Sequence, residues 1–145
     1  MSLQTDKVKH INDITTRHFS PTFCFAKWYH TTIYLQTGET HSCYHPAPHK
    51  IDVDELLTNP SALHNTKHKK QERKEMLEGK QCVGCNYCWN IENMGDDYIS
   101  DRHIRSGSIY NEQRLQEIKL SSFSIQLSFI QGRFHTLSNR CLSSK

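Results

Sequence analysis

The chain has 145 residues, enough for one domain, and only 35% of them are hydrophobic, with a mean hydropathy of -0.73; a core that small needs help from a disulfide, a metal or a partner. Its 18 Lys and Arg against 15 Asp and Glu leave a net charge of +3, with 10 His counted neutral, too slight an excess to argue for a nucleic-acid partner unless it is concentrated. No run approaches the roughly 18 apolar residues of a membrane helix, and MSLQTDKVKH has no apolar stretch behind its charges, so the expectation is a cytoplasmic chain with no membrane partner.

Residues 1 to 20 are polar and read as a flexible, extended lead-in. Order is expected from Pro21, where Phe23, Cys24, Phe25, Ala26 and Trp28 bring apolar mass. The segment from Thr31 to Gln36 is β-branched and aromatic, Thr37-Gly38-Glu39-Thr40 signals a turn, and His41 to Tyr44 returns as a second strand. Such a hairpin folds Cys24, ahead of its first strand, toward Cys43, on or just after its second. Pro46 and Pro48 end the strand region. Ile51 to Leu57 predicts a short helix capped by Asp52, with Glu55 in capping-box position, and Asn59-Pro60 restarts helix toward Leu63.

A polar helix is expected over residues 67 to 78, stopped by Gly79. Its basic run, Lys67 to Lys74, has Glu72, Glu75 and Glu78 in or beside it and reads as a solvated face. Gly95-Asp96-Asp97 marks a turn, and Asn111 to Ile118 predicts one more short helix. Phe123, Ile125, Leu127 and Phe129 alternate with polar residues as one strand, before a serine-rich tail that carries the isolated Cys141. The fold class is therefore α+β: a small metal-stabilised domain with an N-terminal β-hairpin followed by short helices. Residues 1–20 form the lead-in, 21–106 the cysteine domain, and 107–145 a helix, a strand and an irregular tail.

The chemistry lies in the cysteines. In a reducing compartment six cysteines point to a metal before disulfides. Cys82, Cys85 and Cys88 form C-x2-C-x2-C, a spacing that brings soft thiolate donors to one centre with little strain. Three thiols do not complete a four-ligand centre, and Cys24 and Cys43 are the upstream candidates. Eighteen residues stand between Cys24 and Cys43, more than the two to four of a usual zinc pair. Iron-sulfur therefore stands ahead of structural Zn2+, and spacing alone does not choose between them. His41 and His45 flank Cys43, so a mixed Cys/His zinc site also stays open, although ten histidines in so short a chain bring several near any cysteine. Trp28, Tyr44, Tyr87 and Trp89 are expected to shield the centre and fill the core. No dinucleotide, phosphate-loop, zinc-protease or nucleophile-elbow motif is present, and the C-x2-C pairs lack the thioredoxin-like surroundings of a redox thiol.

Cys24, Gly38 and Cys43 form C-x13-G-x4-C, and with Cys24-Phe25-Ala26-Lys27-Trp28, Gly38-Glu39-Thr40-His41-Ser42-Cys43, Asn59-Pro60-Ser61-Ala62-Leu63 and Cys85-Asn86-Tyr87-Cys88-Trp89 this resembles the auxiliary-cluster part of twitch and SPASM-domain radical S-adenosylmethionine proteins, over residues 20 to 119. The resemblance implies one auxiliary [4Fe-4S] cluster on Cys24, Cys43, Cys85 and Cys88, with Cys82 a spare or substitute ligand. It also implies a peptide or small-molecule substrate in the intact family member. The C-x3-C-x2-C loop that binds the catalytic cluster and S-adenosylmethionine occurs nowhere in this chain. No catalytic residue is expected, and the chain reads as a truncated or frameshifted member that keeps the auxiliary site.

Overall fold

The structure, a computed structural model, describes residues 3–121. The expected strand over residues 123–129, the tail and Cys141 lie outside them. The chain divides into two compact units, Met1–Ile109 and the residues from Tyr110 onward.

The N-terminus is helical, which corrects the expected fold class. Helix α1 spans Leu3–His18, so the β-hairpin is not the first element and the stretch read as a lead-in is regular structure. Val8, Ile11 and Thr15, spaced by three and four residues, are its buried stripe. Asp6 in the first turn and Arg17 and His18 in the last complement the helix dipole. A stripe of two aliphatic residues and a threonine is thin enough to vanish in a polar composition. It suffices because α6 (Asp101–Ile109) approaches closely: a Cβ at Gly107 would stand 3.2 Å from Val8 Cγ2.

After the short helix α2 (Ala26–Tyr29), strands β1 (Thr32–Tyr34), β2 (Glu39–His41) and β3 (His49–Lys50) form a three-stranded antiparallel sheet in sequence order. The hairpin of β1 and β2 pairs Thr32 with His41 and Tyr34 with Glu39. Gly38 closes its turn at φ 65°, a region open to glycine at little cost, and its N–H donates to Tyr34 O at 2.8 Å. The architecture is thus α+β, with two helices ahead of the sheet and several after it.

Helix α3 (Val53–Thr58) begins at Asp52, whose carboxylate accepts the Asp54 N–H. Glu55 does not complete the expected capping box. Its Oε1 instead accepts the Lys67 N–H at 2.7 Å and so helps start α4 (Lys67–Leu77), where Thr66 is the N-cap. The segment Pro60–Leu63 between them is a 3-10 turn. Helix α4 ends at Gly79, φ 76°, and the Lys80 N–H returns to Glu75 O. Its buried residues are Lys69, Glu72 and Met76, so the charge run read as a solvated face sends two charged side chains inward.

A 3-10 turn, Val83–Cys85, leads into α5 (Asn86–Glu92) and then α6. Phe23 packs against Phe19, Phe25 and Trp28, stacked on the first, edge-on to the second and tilted to the third, with ring centroids 4.3 to 5.1 Å apart. In the second unit α7 (112–121) starts where Asn111 Oδ1 accepts the Arg114 N–H at 2.8 Å. No helix among the described residues is long and apolar enough to cross a membrane.

Candidate metal centre

Cys24 sits in the turn between α1 and α2, and α6 fixes that turn on both sides of it. Arg102 Nη1 donates to Phe23 O at 2.7 Å, and the Phe25 N–H donates to Ser106 Oγ at 3.1 Å. Arg102 is itself held by two bonds to Glu92, Nε to Oε1 at 2.9 Å and Nη2 to Oε2 at 2.7 Å, and lies over the Trp89 ring. Because Glu92 ends α5, one guanidinium ties Cys24 to the helix that carries Cys88.

Cys43 follows β2, so the hairpin turns it back toward the start of the domain. Cys85 ends the 3-10 turn and Cys88 lies in the first turn of α5. The Trp89 indole N–H donates to Cys82 O at 2.9 Å, which closes the knuckle on itself. The outcome is one pocket whose lining includes Cys24, Cys43, Cys85 and Cys88, with Lys27 and Arg102 beside them. Cys82 is buried but is not part of that lining; its thiol and that of Cys85 interact, which lowers Cys82 and raises Cys85.

All five cysteines of the described residues are free thiols. Backbone N–H groups near three of the four sulfurs, those of Ala26 and Lys27 for Cys24, His45 for Cys43 and Arg102 for Cys88, favour the thiolate. Such donors stabilise negative charge on sulfur, the form in which a thiol binds a metal. Burial opposes them. It pushes Cys24 up to about 12 and Cys88 up to about 11, and it raises Cys43. The Cys82 thiol and burial hold the proton on Cys85 well above the usual thiol range. The pocket therefore stores protons at neutral pH, and a metal entering it releases them.

Cations are arranged to take up the charge so created. Burial pulls the Lys27 ammonium down, but Cys85, Glu72 and Cys82 outweigh it and hold it above the usual lysine range. Arg105 lines the pocket and lies over the Tyr44 ring, 5.2 Å from its centroid. The donors thus fit an anionic metal-thiolate group: four soft ligands lining one pocket, backbone N–H groups that favour the thiolate, and nearby positive charge. Among the described residues no three His, Cys, Asp or Glu are gathered as a ready site for one ion; the thiols share a space instead. That space is about 20 Å³, room for one water, so seating a centre requires the cysteine side chains to turn apart.

Of the histidines proposed as mixed ligands, His45 lines the pocket, but its Nε2 meets Asp101 Oδ2 at 2.8 Å and its ring stacks on Tyr87 at 3.9 Å. The other, His41, has its Nε2 bonded to Tyr34 Oη. Trp89 is buried, whereas Tyr44 and Tyr87 are exposed at 69% and 50%; these tyrosines rim the site more than they fill the core. Lys27, Glu72, Arg102 and Ser106 were absent from the sequence reading of the site. Periodicity carries no trace of a charged side chain turned inward by a partner elsewhere in the chain. A larger cleft of about 480 Å³ between α1, α5 and α6 has Glu92, Arg102 and His103 in its lining and no cysteine. The chain matches no protein-family model, no curated protein and no solved structure.

Proposed function

We propose that the chain binds an auxiliary [4Fe-4S] cluster through Cys24, Cys43, Cys85 and Cys88, as part of a radical S-adenosylmethionine type protein working in a reducing, cytoplasmic setting. One observation carries the cluster reading: these four thiols line a single pocket and Cys82, despite its place in the knuckle, does not. The assignment to that protein type rests on the sequence resemblance alone.

The chain's own residues would do three things. Cys24, Cys43, Cys85 and Cys88 supply the donors. Arg102 and Ser106 hold the Cys24 turn in place from α6. The backbone N–H groups of Ala26, Lys27, His45 and Arg102 lie near sulfur and would offset charge on it. When bound, such a group supplies one-electron transfer or a point of attachment for a substrate.

Anaerobic purification with iron, sulfide and zinc quantified tests the reading. Four irons and four sulfides per chain, with broad visible absorbance, are the expected result. A colourless protein carrying one zinc would replace it with a structural zinc-binding interaction module.

A further inference from the structure

Lys27 follows Cys24 by three residues, lies in α2 and lines the four-thiol pocket. Its side chain is 1% exposed, and its Nζ is 2.6 Å from Glu72 Oε2. An ammonium has three N–H donors. Among the described residues Glu72 is the one acceptor that meets this one, and donors left over in a buried site are unfavourable. Glu72 offers no further help: its Oε1 is buried without a hydrogen-bond partner, with His68 Nε2 3.8 Å away, and it fills the space that a Cβ on Gly84 would take. The two arginines of the pocket are differently placed. Arg102 is engaged by Glu92, Phe23 O and His103, and Arg105 lies over Tyr44. Arg105 is half-buried and can turn its N–H groups to water, so Lys27 is the fully buried cation of the pocket wall with donors to give.

We propose that Lys27 is a positioning residue whose ammonium hydrogen-bonds sulfur of the metal-thiolate group held in the pocket and raises its reduction potential. The inference rests on the cluster reading and deepens it. Reduction adds negative charge to a centre that is already anionic, so a fixed cation donating to sulfur favours the reduced state over the oxidised one. Glu72 then has a defined part: it holds the ammonium from behind, with Gly84 leaving room for its second oxygen. A purely packing role for Lys27 would be met equally well by an apolar side chain of the same length.

The full-length chain, reconstituted anaerobically with iron and sulfide, tests this by redox titration of the wild type, Lys27→Arg, Lys27→Met and the double variant Lys27→Met with Glu72→Met. The double variant removes the orphaned carboxylate and keeps the test open where Lys27→Met alone fails to fold. Expected are a midpoint shifted to more negative potential in the Met variants and one near the wild-type value in Lys27→Arg. Loss of cluster uptake in the folded double variant, with uptake intact in Lys27→Arg, supports the proposal as well. An unchanged midpoint in the folded double variant overturns it and leaves the cluster reading standing. A wild-type chain that takes up no iron and sulfide overturns both.

Discussion

Glycine 84 shows how closely one position can couple the charged interior to the cysteine knuckle. Its φ is not in the left-handed region, so backbone freedom is not what a side chain would disturb. The obstacle is Glu72 Oε1, and beyond it Pro46 Cβ at 3.4 Å. Glu72 is held by Lys27 and does not swing away freely. Gly84→Ala is expected to lose roughly 1–3 kcal/mol, the usual range for overpacking a filled interior, in chemical denaturation, and to weaken metal uptake with it. Cys82 makes the complementary case. It stands outside the pocket lining, and serine keeps a small hydrogen-bonding side chain beside Cys85, so Cys82→Ser should retain iron and sulfide near wild-type content. Cys85→Ser and Cys88→Ser should lose them. Complete loss in Cys82→Ser would redraw the ligand set.

Among the elements, α6 is the strut on which the site depends, because Arg102 and Ser106 grip both sides of the Cys24 turn. Arg102→Ala leaves the partly buried Glu92 carboxylate without its guanidinium, with the Ser100 hydroxyl and His103 still beside it, a loss of roughly 3 kcal/mol, the low end for a buried pair broken on one side. Thiol alkylation checks the consequence: Cys24, 5% exposed in the intact fold, should react faster in the variant than in the wild type. The first strand of the hairpin and its turn glycine, Gly38, were legible in the sequence because they act through local geometry; the second strand, Glu39–His41, starts two residues ahead of the expected His41, and β3 follows the prolines expected to end the strand region. Asp52 and Gly79 were legible because they too act locally. Helix α1 was not, because its buried stripe holds only Val8, Ile11 and Thr15. Nor was the course of Glu55, which caps the helix after its own through a contact twelve residues away. The site divides along the same line. Spacing gathers five cysteines, whereas the separation of Cys82 from the pocket, and the presence of Lys27, Glu72 and Arg102 around it, depend on tertiary pairing that residue order does not encode locally.

Over the whole molecule, the titrating groups set a window of pH in which the metal-free fold is most stable, and the two edges have different origins. On the acid side, burial and the neighbouring His68 and Lys69 lower His49 to about 4, and burial and Arg102 lower His103 to about 4. An unfolded histidine takes its proton near 6.5, so these groups contribute stability above that value and lose it as pH falls toward 4. Glu92, held below its ordinary value by Arg102 against the pull of burial, extends the loss further into acid. On the alkaline side the signs reverse. Cys24 and Cys88 titrate near 12 and 11 when folded against an ordinary 9.0, so the folded chain holds protons that the unfolded chain gives up. Their stability is complete below 9 and is lost as pH climbs toward 11 and 12. Lys69, lowered to about 8 by burial and Arg73, works the other way and softens this edge. A metal in the pocket removes the thiol protons beforehand, so the alkaline loss from these cysteines should disappear and uptake should strengthen as pH rises toward 9. Thermal unfolding of metal-free and metal-loaded chain across pH 4 to 11 checks the scheme. The acid edge is expected in both forms and the thiol-linked alkaline edge in the metal-free form alone; equal alkaline losses in the two would mean that these cysteines do not hold the metal.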